Sequence, residues 1–423
     1  MNTKAVRFYG DSLKLESFDL PTIKPDEILA RVVADTLCLS TYKAIKQGTN
    51  HIRIPKDVSN KPIIIGHEFC GEIIEVGEKW KNHFSLSQKF VLQPAINYKG
   101  SPFSPGYSYQ YIGGSSTYVI IPNEVMEMGC LLKYNGDSFF SGCLAEPMSC
   151  IIGGFKKMFH TQAGTYDLFT GSRDGGLLLI MGGAGPMGLG TVDYAIKRKI
   201  KPSKIVVIDN NKEKLDKASR IISPDLADKY GVELIYINVE GLSIHEQKKL
   251  LLDMTNGYGF DDIFILAAVK ELVELGDELL SYDGCMNLFA GPYDREFKSE
   301  INFYNVHYKS THMVGLSGGT TQDMIDYLDM VEKGILNPQL LITHIGGLNC
   351  VIDTVSNLPA ILGGKKLIYN NIKLELTALA DFDEKGKCDP LFSGLAEIIK
   401  KTNGLWNKDA EDFLLANAEK ISL

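Results

Sequence analysis

The chain has 423 residues, enough for two domains that each bury a core. Its 44% hydrophobic and 23% charged residues are ordinary for a globular protein and exclude a disordered or fibrous one. A net charge of −8 argues against nucleic acid as a partner. There is no run of the roughly 18 apolar residues that would make a bilayer span, which argues against a membrane protein.

The amino terminus, Lys4 to Tyr9, alternates like a strand and lacks the apolar run of a signal peptide, so a cytoplasmic location is expected. Residues 1 to about 150 carry short β-like runs separated by Gly and Pro: Glu27–Val33, Glu72–Val76, Lys89–Leu92 and Thr117–Ile121. That pattern predicts a compact, partly open β-barrel. From about 150 to 318, apolar strands alternate with helical-period stretches. The strands are Leu177–Met181, Lys204–Ile208, Leu234–Ile237, Asp262–Ala267, Gly284–Phe289 and His312–Gly315; the helices include Gly190–Arg198, Lys212–Ile221 and Lys270–Leu280. Such alternation predicts an α/β fold with a doubly wound parallel sheet. A helix over Thr321–Lys333 and a closing strand in Gly363–Tyr369 follow. The segment after about 372 holds amphipathic helical pieces at Leu391–Lys400 and Lys408–Ala418, with no readable role. Eight cysteines are scattered without any C-x-x-C pair, which favours reduced thiols over a disulfide framework.

Two constellations carry chemistry. Cys38, then His67 and Glu68, then Glu146 offer a thiolate, an imidazole and carboxylates across the first third of the chain. Three such ligands make a zinc site with an open position, the mark of catalytic zinc. Zinc there would act as a Lewis acid on a carbonyl or alcohol oxygen, and Ser40 would carry the proton towards solvent. Singly, each candidate is a weak signal: a lone Cys38 reads better as a core cysteine than as a ligand, a lone His67 is often a structural histidine, and Glu146 alone reads also as a helix-capping carboxylate before Pro147.

The second constellation is Gly183-Ala184-Gly185-Pro186-Met187-Gly188, directly after an apolar strand and before a helix. Glycines there permit the turn, the approach of a pyrophosphate and close helix–strand packing. Asp209, at the end of the next strand, would take the adenosine ribose hydroxyls and favour NAD, while Lys212 and Lys214 keep NADP open. It lies 26 residues past Gly183, against a usual spacing of ~20.

With these pieces in view, the chain resembles the zinc-dependent medium-chain alcohol and polyol dehydrogenases over roughly residues 1–370. The matching residues are Cys38-x-Ser40, Gly66-His67-Glu68-x-x-Gly71, Glu146-Pro147, Gly183 to Gly188 and Asp209. The resemblance implies a GroES-like catalytic domain over 1–150, a Rossmann domain over 151–318, a return to the catalytic domain over 319–371 and an extension over 372–423. It implies Cys38, His67 and Glu146 as zinc ligands, Glu68 as an adjacent or exchanging one, Ser40 as the first relay hydroxyl, and a homo-oligomer, dimer or tetramer. Three departures stand out. Thr41 replaces the Asp that often follows the relay hydroxyl, so support for the ligands is expected from elsewhere. Lys43 stands where a His commonly forms the relay's outer end. Residues 93–129 hold no cysteine, so one catalytic zinc and no structural zinc is expected.

A narrower resemblance, to the bacterial L-sorbose 1-phosphate reductases, rests on Gly66 to Ile74, on Tyr107-x-Tyr109-Gln110-Tyr111-Ile112-Gly113-Gly114, on Leu144 to Cys150, on Asn302 to Tyr308 and on the tail. It implies reduction of the C2 ketone of L-sorbose 1-phosphate to D-glucitol 6-phosphate. Independently, Thr36 to Lys56 carries Lys43, Lys46, Arg53, Lys56 and His51 and no acid, which suits an anionic sugar-phosphate substrate. Lys43, Lys46 and Arg53 are the phosphate candidates, with Lys365 and Lys366 as second choices. The rival readings are the same chemistry on an unphosphorylated polyol such as sorbitol, a non-catalytic NAD-binding protein, and a zinc-free quinone-reductase-like enzyme.

Overall fold

Apolar residues at every second position of the strand Ile28–Leu37 set the first of two compact units. Ile28, Ala30 and Val32 face one core with Phe69, Ile73, Phe90, Leu92, Val119 and Ile121. A computed structural model describes residues 1–292 and 294–422 of the chain. The first unit comprises residues 1–148 and 320–423, the second 149–319.

In the first unit an eight-stranded sheet runs in the order Thr377–Ala378, Ile342–Gly347, Lys365–Tyr369, Ile28–Leu37, Phe69–Val76, Lys89–Leu92, Leu131–Lys133. The strand Tyr118–Ile121 also pairs with Ile28–Leu37. This is the curled, mostly antiparallel sheet that the Gly- and Pro-punctuated pattern predicts.

The tail after residue 372 belongs to the same unit. Its helices Pro390–Lys400 and Lys408–Asn417 flank a fully buried Trp406. The Trp406 indole donates to the Tyr369 hydroxyl (2.8 Å), and that hydroxyl donates to Glu411 (2.8 Å). Glu411, itself buried, also accepts the backbone N–H groups of Phe139 and Phe140, each at 2.8 Å. One carboxylate thereby ties the last helix to a barrel strand and to a short helix some 270 positions earlier (271 from Phe140).

The second unit is a six-stranded parallel sheet in the order Glu233–Asn238, Lys204–Asp209, Leu177–Met181, Phe260–Ile265, Leu280–Leu288, His312–Gly315. All five pairings are parallel, and the inner strands Leu177–Met181, Lys204–Asp209 and Phe260–Ile265 are buried on both faces and read as nearly continuous apolar runs. The helix after the first strand is Pro186–Lys197, starting four residues before the expected Gly190. Pro186 occupies its first turn, where a fixed φ is already helical and the missing N–H costs nothing. No helix among the described residues is long and apolar enough to cross a membrane.

Candidate active site

Three strand ends build the candidate metal centre. Ile28–Leu37 runs antiparallel to both Phe69–Val76 and Lys365–Tyr369, with Asp35 opposite Phe69 and Leu37 opposite Lys366. The C-terminal end of one strand therefore meets the N-terminal ends of two others, and Cys38, Glu68 and Lys365 fall at one edge of the sheet. Gly66 makes the turn into His67 at φ +93°, and a Cβ there would lie 2.5 Å from an Asp35 oxygen. Only glycine tolerates both conditions.

Cys38 caps the helix Leu39–Gln47, whose first turn carries Ser40 and Thr41. The Cys38 sulfur, a His67 ring nitrogen and a Glu68 oxygen all lie within 4.8 Å of one another. The Ser40 hydroxyl donates to Cys38 Sγ (3.0 Å) and stands 3.3 Å from His67 Nε2. The Tyr107 hydroxyl donates to Ser40 Oγ (2.9 Å) and is also 3.3 Å from Nε2. On the other side of the ring, Thr41 Oγ1 bonds His67 Nδ1 at 3.1 Å. That bond fixes the imidazole so that Nε2 faces the thiol.

Electrostatics suit a cation. Burial pulls His67 down to about 4, so its imidazole is neutral at pH 7 and offers a lone pair. Burial also pushes the Cys38 thiol up to about 12, and the charges of Glu68 and Glu146 add to the effect. A thiolate there needs a positive partner. A soft thiol, a neutral imidazole and a carboxylate gathered within 4.8 Å of one another fit a zinc ion.

Glu146 lies in the first turn of the helix Ala145–Lys157, and its field acts on Cys38, Tyr107 and Lys365. The tightest triple nevertheless contains Glu68. Glu68 is held by Lys365, whose Nζ is 2.5 and 2.6 Å from its two oxygens, and by the Thr36 hydroxyl. Burial alone would raise Glu68, but the charges of Lys365 and His67 and the hydrogen bonds from Lys365 and Thr36 together outweigh it and hold the carboxyl below its ordinary value. Burial likewise opposes charge on Lys365, and Glu68 holds it protonated.

In the second unit, the turn after Leu177–Met181 brings Gly188 against the Gly183 carbonyl, where a Cβ would sit 1.9 Å from that oxygen. Asp209 braces the same loop: one oxygen accepts from Ala184 N and the other from Asn211 N, both at 3.1 Å. Lys212 pairs with Asp216 at 2.8 Å.

The sequence model described as "Alcohol dehydrogenase GroES-like domain" matches residues 24–129, and "Zinc-binding dehydrogenase" matches 186–333. The chain is 46% identical over 422 residues to the L-sorbose 1-phosphate reductase of Klebsiella pneumoniae, covering 99% of each. The chain belongs to the zinc-dependent medium-chain dehydrogenases. This dehydrogenase is also 45% identical over 415 residues to the mannitol-1-phosphate 5-dehydrogenase of Aliivibrio fischeri (strain ATCC 700601 / ES114), covering 98% of this chain and 97% of the other. Among solved structures, it superposes on 2R,3R-butanediol dehydrogenase from Bacillus subtilis with a TM-score of 0.68 at 19% identity, over 87% of this chain and all of the other. It is an NAD(P)-linked oxidoreductase of mixed α/β fold, with a GroES-like and a Rossmann-type domain.

The dehydrogenase corrects several expectations. Support for His67 comes from Thr41 itself, because a hydroxyl one turn along the helix reaches Nδ1 as a carboxylate would. Replacing Thr41 with valine is expected to weaken zinc binding about 10- to 100-fold. Competition against a chromogenic chelator checks this, and unchanged affinity would remove Thr41 from the site. Lys365 and Lys366 are not available to a phosphate. The first is closed on Glu68, and the second spends its ammonium on the carbonyls of Ile361, Leu362 and Gly364. Lys43 is half-buried on the helix Leu39–Gln47, and Lys46 is exposed with its Nζ 5.6 Å from the Tyr42 ring centre. Arg53 stacks on Tyr107, with its guanidinium carbon 5.2 Å from the ring centre. Sequence reasoning missed Tyr107, Thr36 and the Glu68–Lys365 pair. Tyr107 sits in an aromatic-rich run where nothing marks one tyrosine, and Lys365 is 297 positions from its partner.

Proposed function

We propose that this dehydrogenase reduces the C2 ketone of L-sorbose 1-phosphate to D-glucitol 6-phosphate, with NAD(H) as the favoured cofactor. Cys38, His67 and Glu146 would hold one zinc, with Glu68 as the alternate carboxylate. When bound, zinc supplies Lewis-acid polarisation of the substrate oxygen and the nicotinamide supplies the hydride. The chain's own residues do the rest. Thr41 orients His67, Lys365 keeps Glu68 ionised beside it, and Ser40 stands at the thiol with its hydroxyl ready to pass a proton to the substrate oxygen.

The observation that carries the phosphate reading is Arg53. Its guanidinium lies against Tyr107 at the candidate metal centre and has no acidic partner among the described residues. The names of the two relatives, each joining a sugar phosphate to a redox step, support the same substrate class. Asp209, with both oxygens already aligned by backbone N–H groups, supports NAD over NADP. An unphosphorylated polyol is the second reading; the acid-free stretch from Thr36 to Lys56 weighs against it.

Initial rates with L-sorbose 1-phosphate and free L-sorbose, each with NADH and NADPH, test the reading by absorbance. The expected result is a kcat/KM for the phosphorylated sugar at least ~100-fold higher, the worth of one or two charge-assisted hydrogen bonds to the phosphate. Equal values for the two sugars would end it.

A further inference from the structure

Tyr107 reaches the candidate metal centre because its loop is pressed onto the turn that presents His67. Gly106 has φ +78°, and a Cβ there would lie 2.0 Å from the Gly66 carbonyl oxygen and 3.0 Å from His67 Cα. Only glycine allows that approach. The Tyr107 ring is buried, its centre 4.7 Å from that of His67, and the His51 ring lies nearly parallel to it at 13°. Its hydroxyl is thereby brought to two partners, Ser40 Oγ at 2.9 Å and His67 Nε2 at 3.3 Å. Thr41 already engages Nδ1, so the Nε2 lone pair is the one left for a metal ion. Ser40 is then the acceptor that remains to the tyrosine. The serine's own proton points away from Tyr107, to Cys38 Sγ on the ligand side (3.0 Å).

We propose that Tyr107 is a positioning residue for the proton transfer: its hydroxyl donates to Ser40 Oγ, keeps the serine's proton turned towards the substrate oxygen, and steadies the charge that grows on Oγ as that proton leaves. This rests on the ketone-reduction reading above and on Ser40 as its proton donor, but not on the phosphate. In the step, the carbonyl carbon receives hydride from the reduced nicotinamide and the carbonyl oxygen takes the Ser40 proton, giving the alcohol. Water then returns a proton to the half-buried serine. A donor already in place at 2.9 Å has no rearrangement to make when Oγ becomes negative, which is how a preorganised hydrogen bond lowers a barrier.

Tyr107→Phe tests this, because it removes the hydroxyl and keeps the ring against His51. The faster of L-sorbose 1-phosphate and free L-sorbose serves as substrate for the zinc-loaded full chain. The variant is expected to lower kcat about 10- to 100-fold, with KM within about twofold of the wild type. In a Ser40→Ala chain the same change should alter kcat by less than about twofold, since the hydroxyl then has no serine to act on. The solvent deuterium isotope effect on kcat should rise in Tyr107→Phe, as transfer of the Ser40 proton becomes the slower step. Zinc content by mass spectrometry should match the wild type. An unchanged kcat or isotope effect, or an equal loss in the Ser40→Ala chain, overturns the role of Tyr107 and leaves ketone reduction standing. So does a loss of zinc, which would mean that the hydroxyl serves His67. If Ser40→Ala keeps full turnover, Ser40 is not the proton donor and the proposal falls with it; if neither ketose is reduced, the reduction reading falls as well.

Discussion

Replacing Cys38 with serine is expected to leave the chain folded and to lower kcat/KM by about 1,000-fold or more. Cys38 terminates a barrel strand and caps a helix, and serine serves as well at a helix N-cap, so the backbone has no reason to move. The change instead falls on the ligand set. A hydroxyl is a far poorer zinc ligand than a thiolate, and losing the ion removes several kcal/mol of stabilisation of charge on the substrate oxygen. Zinc content measured by mass spectrometry of the purified variant should fall with activity, while far-ultraviolet circular dichroism stays unchanged. A variant that keeps both its zinc and its turnover would take Cys38 out of the site. Acid should act instead on the stability of the metal-free protein. His67 is held at about 4 against an ordinary 6.5, so the stability it contributes is complete above that ordinary value and is lost as pH falls towards 4.

The second large effect is expected on stability and lies far from the chemistry. Glu411→Ala would leave the Phe139 and Phe140 N–H groups and the Tyr369 hydroxyl buried without their acceptor. At about 1–3 kcal/mol for each unsatisfied group, partly relieved by relaxation, the cost is roughly 3–5 kcal/mol. The thermal midpoint should drop by roughly 10 °C on the scaling for a unit of this size. Glu411→Gln should recover only part of the loss, since an amide can accept from one of the adjacent N–H groups but turns a donor towards the other. Limited proteolysis should then cut the tail first. A midpoint within a degree of the wild type would mean that the tail does not rely on this carboxylate.

These two residues differ in how far the sequence could reveal them. Cys38 stands in a short pattern with Ser40, and His67 and Glu68 are neighbours in the chain, so their chemistry shows in local spacing. The glycine loop and Asp209 are legible for the same reason: a strand, a turn and a helix are consecutive, and the turn's glycines are dictated by contacts within it. Glu411 carries no such signal. It sits in an amphipathic helix where a glutamate is normally solvated, and only the fold turns it inward onto two N–H groups.

The phosphate candidates make the same point. A stretch of basic residues without acids is visible from Thr36 to Lys56, but its members are equivalent until the chain folds. The structure then leaves Lys46 on the surface beside Tyr42, gives Lys56 the Thr49 carbonyl and sets Arg53 on Tyr107. Lys365, equally basic in the sequence, becomes the counter-charge of Glu68.

What the sequence determined by itself was therefore the set of local devices: period-2 strands, the strand–turn–helix of the dinucleotide loop, and the thiol, imidazole and carboxylates suited to zinc. The tertiary structure decided which charges meet. Antiparallel pairing of three strand ends brings Cys38, Glu68 and Lys365 together, and the buried Glu411 gives the tail its place. Pairings across hundreds of residues are set by sheet register and burial, and neither leaves a mark in the residues near each partner.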